Sequence, residues 1–112
     1  PLRSPYVAAK WGIIGLTKSW AMELGEFGVR VNAICPGSVS GPRMDGVIER
    51  EALATGATAS DIRTGYEKQV SLQTFVDASD IAASAVFLSS SAARFITGQV
   101  LPVDGNIETM RA

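Results

Sequence analysis

The strongest constraint on this chain is an alternation of elements that contains too few strands. Two short runs read as strands. Val29–Cys35 is rich in β-branched and apolar residues and is stopped by Pro36-Gly37, and Gln99–Val103 is stopped by the turn pair Asp104-Gly105. Helical patterns precede and separate them. The order helix, strand, helical excursion, helix, strand is the alternation that builds a parallel α/β sheet with right-handed crossovers. A sheet normally needs three or more strands, and a parallel one needs both faces covered. Two strands beside long helices leave apolar edges wet, so the expectation is that further strands lie ahead of Pro1.

The helices are legible from spacing and punctuation. From Ser4 to Phe27 apolar residues recur at helical intervals through Val7, Trp11, Ile14, Leu16, Ala21 and Leu24, and Gly25 and Gly28 mark the end. Gly12 and Gly15 inside this helix each cost about 1 kcal/mol relative to Ala, which predicts close approach of another backbone. Between Ser38 and Ser71 the pattern is an excursion. Gly41-Pro42 breaks the chain, Met44–Ala54 reads as helical, and Thr58 followed by Asp61 resembles a capping box before a second short helix to Val70. Asp77 and Asp80 place a cap and a first-turn charge before the stripe Ile81, Ala82, Ala85, Val86 and Leu88. Pro102 cannot donate to a ladder, so the last strand lies at an edge or turns that residue to a non-bonding position.

Composition removes several chemistries. The 112 residues include ten Lys plus Arg against eleven Asp plus Glu, no His and one Cys. Without His, the Ser-His and Cys-His nucleophile pairs are unavailable, and Cys35 alone builds neither a thiolate zinc site nor an internal disulfide. A net charge of -1 with no basic run argues against nucleic acid as a partner. No stretch approaches the roughly 18 uninterrupted apolar residues of a membrane span and no basic-then-apolar leader is read, so a cytoplasmic protein without membrane contact is expected. The remaining chemistry belongs to Tyr, Lys, Ser, Asp, Glu or a cofactor.

Tyr6 and Lys10 stand at i, i+4, on one helical face with Cβ atoms roughly 6 Å apart. A free phenol ionises near pH 10 and exchanges protons poorly at neutral pH unless something stabilises its phenolate, which a neighbouring ammonium does. The surroundings of the pair are specific. Tyr6-Val7-Ala8-Ala9-Lys10-Trp11-Gly12, Gly28-Val29-Arg30-Val31-Asn32-Ala33-Ile34-Cys35-Pro36-Gly37, Asp80-Ile81-Ala82, and Ile96-Thr97-Gly98-Gln99-Val100-Leu101-Pro102-Val103-Asp104-Gly105 resemble, in that order, the short-chain dehydrogenase/reductase family.

The resemblance implies that residues 1–112 form the C-terminal part of a single NAD(P)-binding Rossmann-type domain, a doubly wound parallel sheet whose dinucleotide-binding half lies outside this sequence. It implies hydride transfer between NAD or NADP and a small-molecule carbonyl or secondary alcohol. Tyr6 is then the general acid in reduction and the base in oxidation, and Lys10 holds the nicotinamide ribose. Pro36, Gly37 and the backbone of Val39 lie against the nicotinamide, at a strand's C-terminal end where open parallel sheets bind ligands. Met44, Val47, Ile48 and Tyr66 fall in the family's substrate lid. The long helix is expected to pack in a homodimer or homotetramer. The family's catalytic Ser and Asn and its glycine-rich loop have no counterpart here, and Ser4 is no substitute. Gly41 stands where a cofactor-binding Thr often occurs, with Ser38 or Ser40 as replacements. This chain by itself is therefore expected to be inactive.

Other residues carry plainer readings. Asn32 is expected to satisfy neighbouring backbone groups, Cys35 to pack as a small hydrophobe, and Trp11 and Trp20 to serve core or interface. Arg43, Arg50, Arg63 and Lys68, interspersed with acids, read as a solvated face. The competing function is a non-catalytic or truncated family member acting as an oligomerisation or small-molecule-binding module. The intact Tyr6 and Lys10 pair separates the two, because a scaffold has no physical reason to keep it.

Overall fold

The computed structural model describes residues 3–107, which contacts divide into two compact units, 3–35 with 84–101 and 36–83 with 102–107.

In the first unit, helix α1 spans Ser4–Leu24, with Pro5 in the first turn where its missing N–H is no loss. The helix tightens into a 3₁₀ turn at Gly25–Phe27, and Gly28, at φ 71°, donates its N–H to the Gly25 carbonyl. Thr17 and Ala21, one turn apart, are the buried side chains of α1. Their face meets the loop before the last strand. A Cβ added to Gly98 would lie 3.3 Å from the Ala21 Cβ, and Lys18 Nζ donates to the Gly98 carbonyl at 3.0 Å. The close backbone approach predicted at Gly12 and Gly15 is absent among the described residues, since a Cβ at either would meet nothing within 4 Å. The reason is that α1 leans on this chain through Thr17 and Ala21 and leaves its other faces open.

The predicted strand at Val29–Cys35 is shorter and shifted. Strand β1 is Ala33–Pro36, and the four residues before Ala33 are irregular because side chains and a loop bind them in place of a ladder. Val31 N–H donates to Thr97 Oγ1 at 3.0 Å, and Gly98 N–H donates to the Val31 carbonyl at 2.7 Å. Arg30 donates to the carbonyls of Ile96 and Ser90. Asn32 has the backbone-satisfying role expected of it: Nδ2 donates to the Ile96 carbonyl at 2.9 Å while Oδ1 accepts from Gln99 N–H at 3.1 Å.

The ladder then runs from Ala33 N–H to the Gln99 carbonyl, 2.9 Å, and from Gly37 N–H to the Val103 carbonyl, also 2.9 Å. Both bonds advance in the same direction, so β1 and β2 (Val100–Val103) pair in parallel. Because Gln99 and Val103 turn their carbonyls to β1, Pro102, of opposite parity, turns its missing N–H away, as its chemistry requires.

In the second unit, helices α2 (Pro42–Thr55) and α3 (Ala59–Lys68) form the excursion and contact each other. Pro42 opens α2, and Gly56, at φ 74°, closes it by donating its N–H to the Ala52 carbonyl. Thr58 caps α3 as predicted, its hydroxyl accepting from Asp61 N–H at 3.1 Å. Ile48, Val70 and Phe75 are the buried apolar side chains here. Arg63 departs from the solvated-face reading. Its Nε donates to Glu67 Oε1 at 3.0 Å, Nη1 lies 3.6 Å from Asp45 Oδ1, and Cζ sits 4.6 Å from the centroid of the Phe75 ring. It therefore ties α2, α3 and the following loop together. Helix α4 (Ala78–Ser89) starts where the Asp80 carboxylate accepts from Asp77 N–H at 2.9 Å.

Candidate active site

Tyr6 occupies the first turn of α1 and is 54% exposed. Lys10, one turn on, brings Nζ to 5.4 Å from the ring centroid, so the pair shares a face as the i, i+4 spacing requires. The ring has a second cation beside it. Arg3 places Cζ 5.2 Å from the same centroid, within the range of a cation held by the ring quadrupole. Sequence reasoning missed Arg3, although the i, i+3 spacing to Tyr6 carried the signal.

The other predicted site residues lie in the second unit. Pro36 ends β1 and is exposed, and Gly37 follows at a point of close approach, where an added Cβ would come within 2.7 Å of both Cα and Cβ of Asp104. Only a residue without a side chain fits there. Val39 forms a parallel bridge with Val76 in which Ser40 N–H donates to the Val76 carbonyl at 2.8 Å and Val76 N–H donates to the Ser38 carbonyl at 3.0 Å. In that register Val76 makes both bonds, and the N–H and C=O of Val39 point away from it.

Of the lid candidates, Met44 and Val47 are half-buried on α2, and Ile48 is buried at 4% exposure. Tyr66, on α3, donates its hydroxyl to Glu51 Oε2 at 2.6 Å, joining the two helices. Met44, Val47 and Ile48 thus share α2, and the Tyr66 bond joins α3 to that helix. A cleft of about 280 Å³ in the first unit, lined by Arg30, Asn32, Ile34, Ala85, Leu88 and Ser89, was not anticipated, but the polar groups of Arg30 and Asn32 are already engaged by backbone. Cys35 is half-buried, and Trp11 and Trp20 are exposed. Among the described residues, no helix is long and apolar enough to cross a membrane.

Comparison with known proteins places this geometry. A family profile described as Enoyl-(Acyl carrier protein) reductase matches residues 1–107. The D-beta-hydroxybutyrate dehydrogenase of Cupriavidus necator is 44% identical over 105 residues, covering 92% of this chain and 40% of that protein. The 3-oxoacyl-(acyl-carrier-protein) reductase FabG of Staphylococcus epidermidis is 36% identical over 107 residues, 96% of this chain and 39% of that protein. The crystal structure of sorbitol-6-phosphate 2-dehydrogenase SrlD from Erwinia amylovora matches with a TM-score of 0.86 at 30% identity, over 96% of this chain and 42% of that one. Two further solved matches carry cofactors. They are an actinorhodin polyketide ketoreductase with NADPH (TM-score 0.82, 31% identical, 91% of this chain and 39% of that one) and 4-hydroxyisoleucine dehydrogenase with NADH (TM-score 0.75, 33% identical, 95% and 40%). The chain spans about two fifths of the length of the curated relatives it matches. With its paired phenol and ammonium, its Pro-Gly loop and its parallel α/β framework, the chain belongs to the short-chain dehydrogenase/reductase family.

Proposed function

We propose that residues 1–112 are the C-terminal part of a single NAD(P)-binding Rossmann-type domain in a longer cytoplasmic enzyme, one that interconverts a carbonyl and a secondary alcohol on a small molecule. The observation that carries this reading is the exposed Tyr6 ring with Lys10 Nζ 5.4 Å from its centroid. A non-catalytic module is the weaker reading, because the relatives are named as oxidoreductases and the pair is intact. The first helix, with its open apolar faces, suits packing in a homodimer or homotetramer.

Each unit, taken by itself, carries groups that suit a nicotinamide cofactor. Val39 has a backbone donor and acceptor turned away from Val76 and suited to a carboxamide, Pro36 and Gly37 set that loop against Asp104, and the Lys10 ammonium offers three donors to ribose hydroxyls. NAD(P)H, when bound, supplies the hydride that reduces the carbonyl carbon, and NAD(P)+ accepts it in the reverse direction. In reduction Tyr6 Oη passes its proton to the carbonyl oxygen as that oxygen gains charge, and in oxidation Oη takes the proton back from the alcohol. Lys10 Nζ supports the negative charge that forms on Oη when the proton leaves. Met44, Val47, Ile48 and Tyr66, on the paired helices α2 and α3, belong to the lid over the substrate. The relatives' names divide the substrates between a free hydroxy acid and an oxoacyl group on a carrier protein.

The test is Tyr6→Phe in the longer enzyme, read by the absorbance of reduced nicotinamide in turnover and by its fluorescence in equilibrium binding. Turnover is expected to fall by about 10³-fold or more with binding of the cofactor nearly unchanged. Near-normal turnover in a correctly folded variant would overturn the assignment. Lys10→Ala is expected to weaken both turnover and binding.

A further inference from the structure

The helical excursion is fixed at both ends. At its entry Ser40 N–H donates to the Val76 carbonyl at 2.8 Å, and Val76 N–H donates to the Ser38 carbonyl at 3.0 Å. At its exit Ser71 N–H and Leu72 N–H donate to the carbonyls of Asn106 and Gly105 at 2.9 and 3.2 Å, and Asn106 Nδ2 donates to Ser71 Oγ at 2.6 Å. Residues 71–76 therefore form a rim tied to residues 38–40 and 105–106. Helices α2 and α3 lie between these fastenings and are bound to each other, through Tyr66 Oη on Glu51 Oε2 at 2.6 Å and through Arg63 Nη1, 3.6 Å from Asp45 Oδ1. Of their residues only Ile48 is buried, so lifting the pair exposes little apolar surface.

The joint at the entry is Gly41. It stands at φ 146°, ψ −177°, a region essentially closed to residues with a side chain, yet an added Cβ would meet nothing within 4 Å. Conformation, rather than crowding, demands glycine there. At the other end α3 stops at Lys68, with Gln69 as its cap. The Arg63 guanidinium reaches from the pair to the rim. Its Cζ sits 4.6 Å from the centroid of the Phe75 ring, while Nε and Nη1 stay on Glu67 and Asp45.

We infer that α2 and α3 are a single flap, hinged at Gly41 and Gln69, and that Arg63 is its latch. Seated on the Phe75 ring, the guanidinium holds the flap against the rim. Once off the ring, both helices leave together, because the contacts with Asp45 and Glu67 travel with them. Met44, Val47 and Tyr66 then change place as one group. That this group covers a substrate rests on the function proposed above; that it moves as one does not.

The experiment is native-state hydrogen exchange, read by mass spectrometry on the longer protein without cofactor or turnover. In the wild type the bonded amides of α2 and α3 are expected to open with equal protection, within about 2-fold, and faster than those of Ser71, Leu72 and Val76. Arg63→Ala should speed exchange in both helices alike, by about 3- to 5-fold, as the loss of one cation–ring contact would. Gly41→Ala should speed both by about 10-fold, since it strains the seated conformation. In a Phe75→Leu background, Arg63→Ala should change exchange by less than about 2-fold, because the ring it would have left is already gone. Unequal opening of the two helices in the wild type, opening no faster than residues 71–76, or an Arg63→Ala effect confined to α3 would overturn the assignment. So would exchange unchanged in Arg63→Ala or Gly41→Ala, or an Arg63→Ala effect undiminished by Phe75→Leu. Full turnover in Tyr6→Phe would instead sink the redox reading and leave the exchange pattern standing.

Discussion

Helix α1 buries Thr17 and Ala21 and leaves Trp11, Ile13, Leu16, Trp20 and Met22 exposed, Met22 at 85%. Helices α2 and α3 are shorter and more polar, yet they bury Ile48, join through Tyr66 and Glu51, and are fastened by Arg63 to Asp45, Glu67 and Phe75. The two regions differ in where their partners come from. The two helices of the excursion find partners in each other and in the loop that follows them, all between positions 42 and 75. The first helix carries a surplus of large apolar side chains that this segment covers on one narrow face, and such a surplus is built to be buried by something else.

The sharpest way to break that contrast is to truncate one large side chain on each side of it in the longer protein. Phe75→Ala and Trp11→Ala are both expected to cost about 3–5 kcal/mol in urea-induced unfolding. For Phe75, 6% exposed here, the loss is already visible in the fold; for Trp11, 67% exposed here, the same loss would report a cover supplied from outside residues 3–107. A change at Trp11 within about 0.5 kcal/mol would mean the face stays wet and would erase the distinction.

A smaller effect is expected where the first unit does close on itself. Asn32→Asp removes the Nδ2 donor and sets a carboxylate against the Ile96 carbonyl, an exchange worth about 2 kcal/mol in thermal unfolding. A melting temperature equal to the wild type would show that the bracket around residues 96–99 is dispensable. Smallest is the fastening of the excursion. Arg63→Ala should cost about 1 kcal/mol, because the guanidinium is partly solvated and its ion pairs are screened, while Arg43→Ala should cost less than about 0.5. Equal effects at the two positions would return Arg63 to the solvated face the sequence suggested.

Local chemistry was readable in advance, and tertiary chemistry was read only in part. The Thr58 cap and the Asp77 and Asp80 opening of α4 follow from residue type and near neighbours. Residues 29–32 have the composition of a strand. They are not one, because Thr97, Ile96 and Gly98, more than sixty residues away in sequence, hold them with side-chain and loop bonds. Arg63 looked like one charge among many because the Phe75 ring beneath it is twelve positions on and reaches it only after the chain turns. For the site, the Tyr6 and Lys10 spacing gave one side of the phenol, and the cation on the other side, Arg3, was not read from the sequence.

The bridge between Val39 and Val76 has a consequence for how this fold can diversify. It clips together the two ends of the excursion, with Ser40 and Val76 bonded at 2.8 Å and Val76 and Ser38 at 3.0 Å. With its mouth already fastened, the segment inside behaves as a graftable insert. Doubling its length costs only about 0.6 kcal/mol of extra closure entropy, so the stretch between those two valines can be lengthened or exchanged while the strands outside it are left alone.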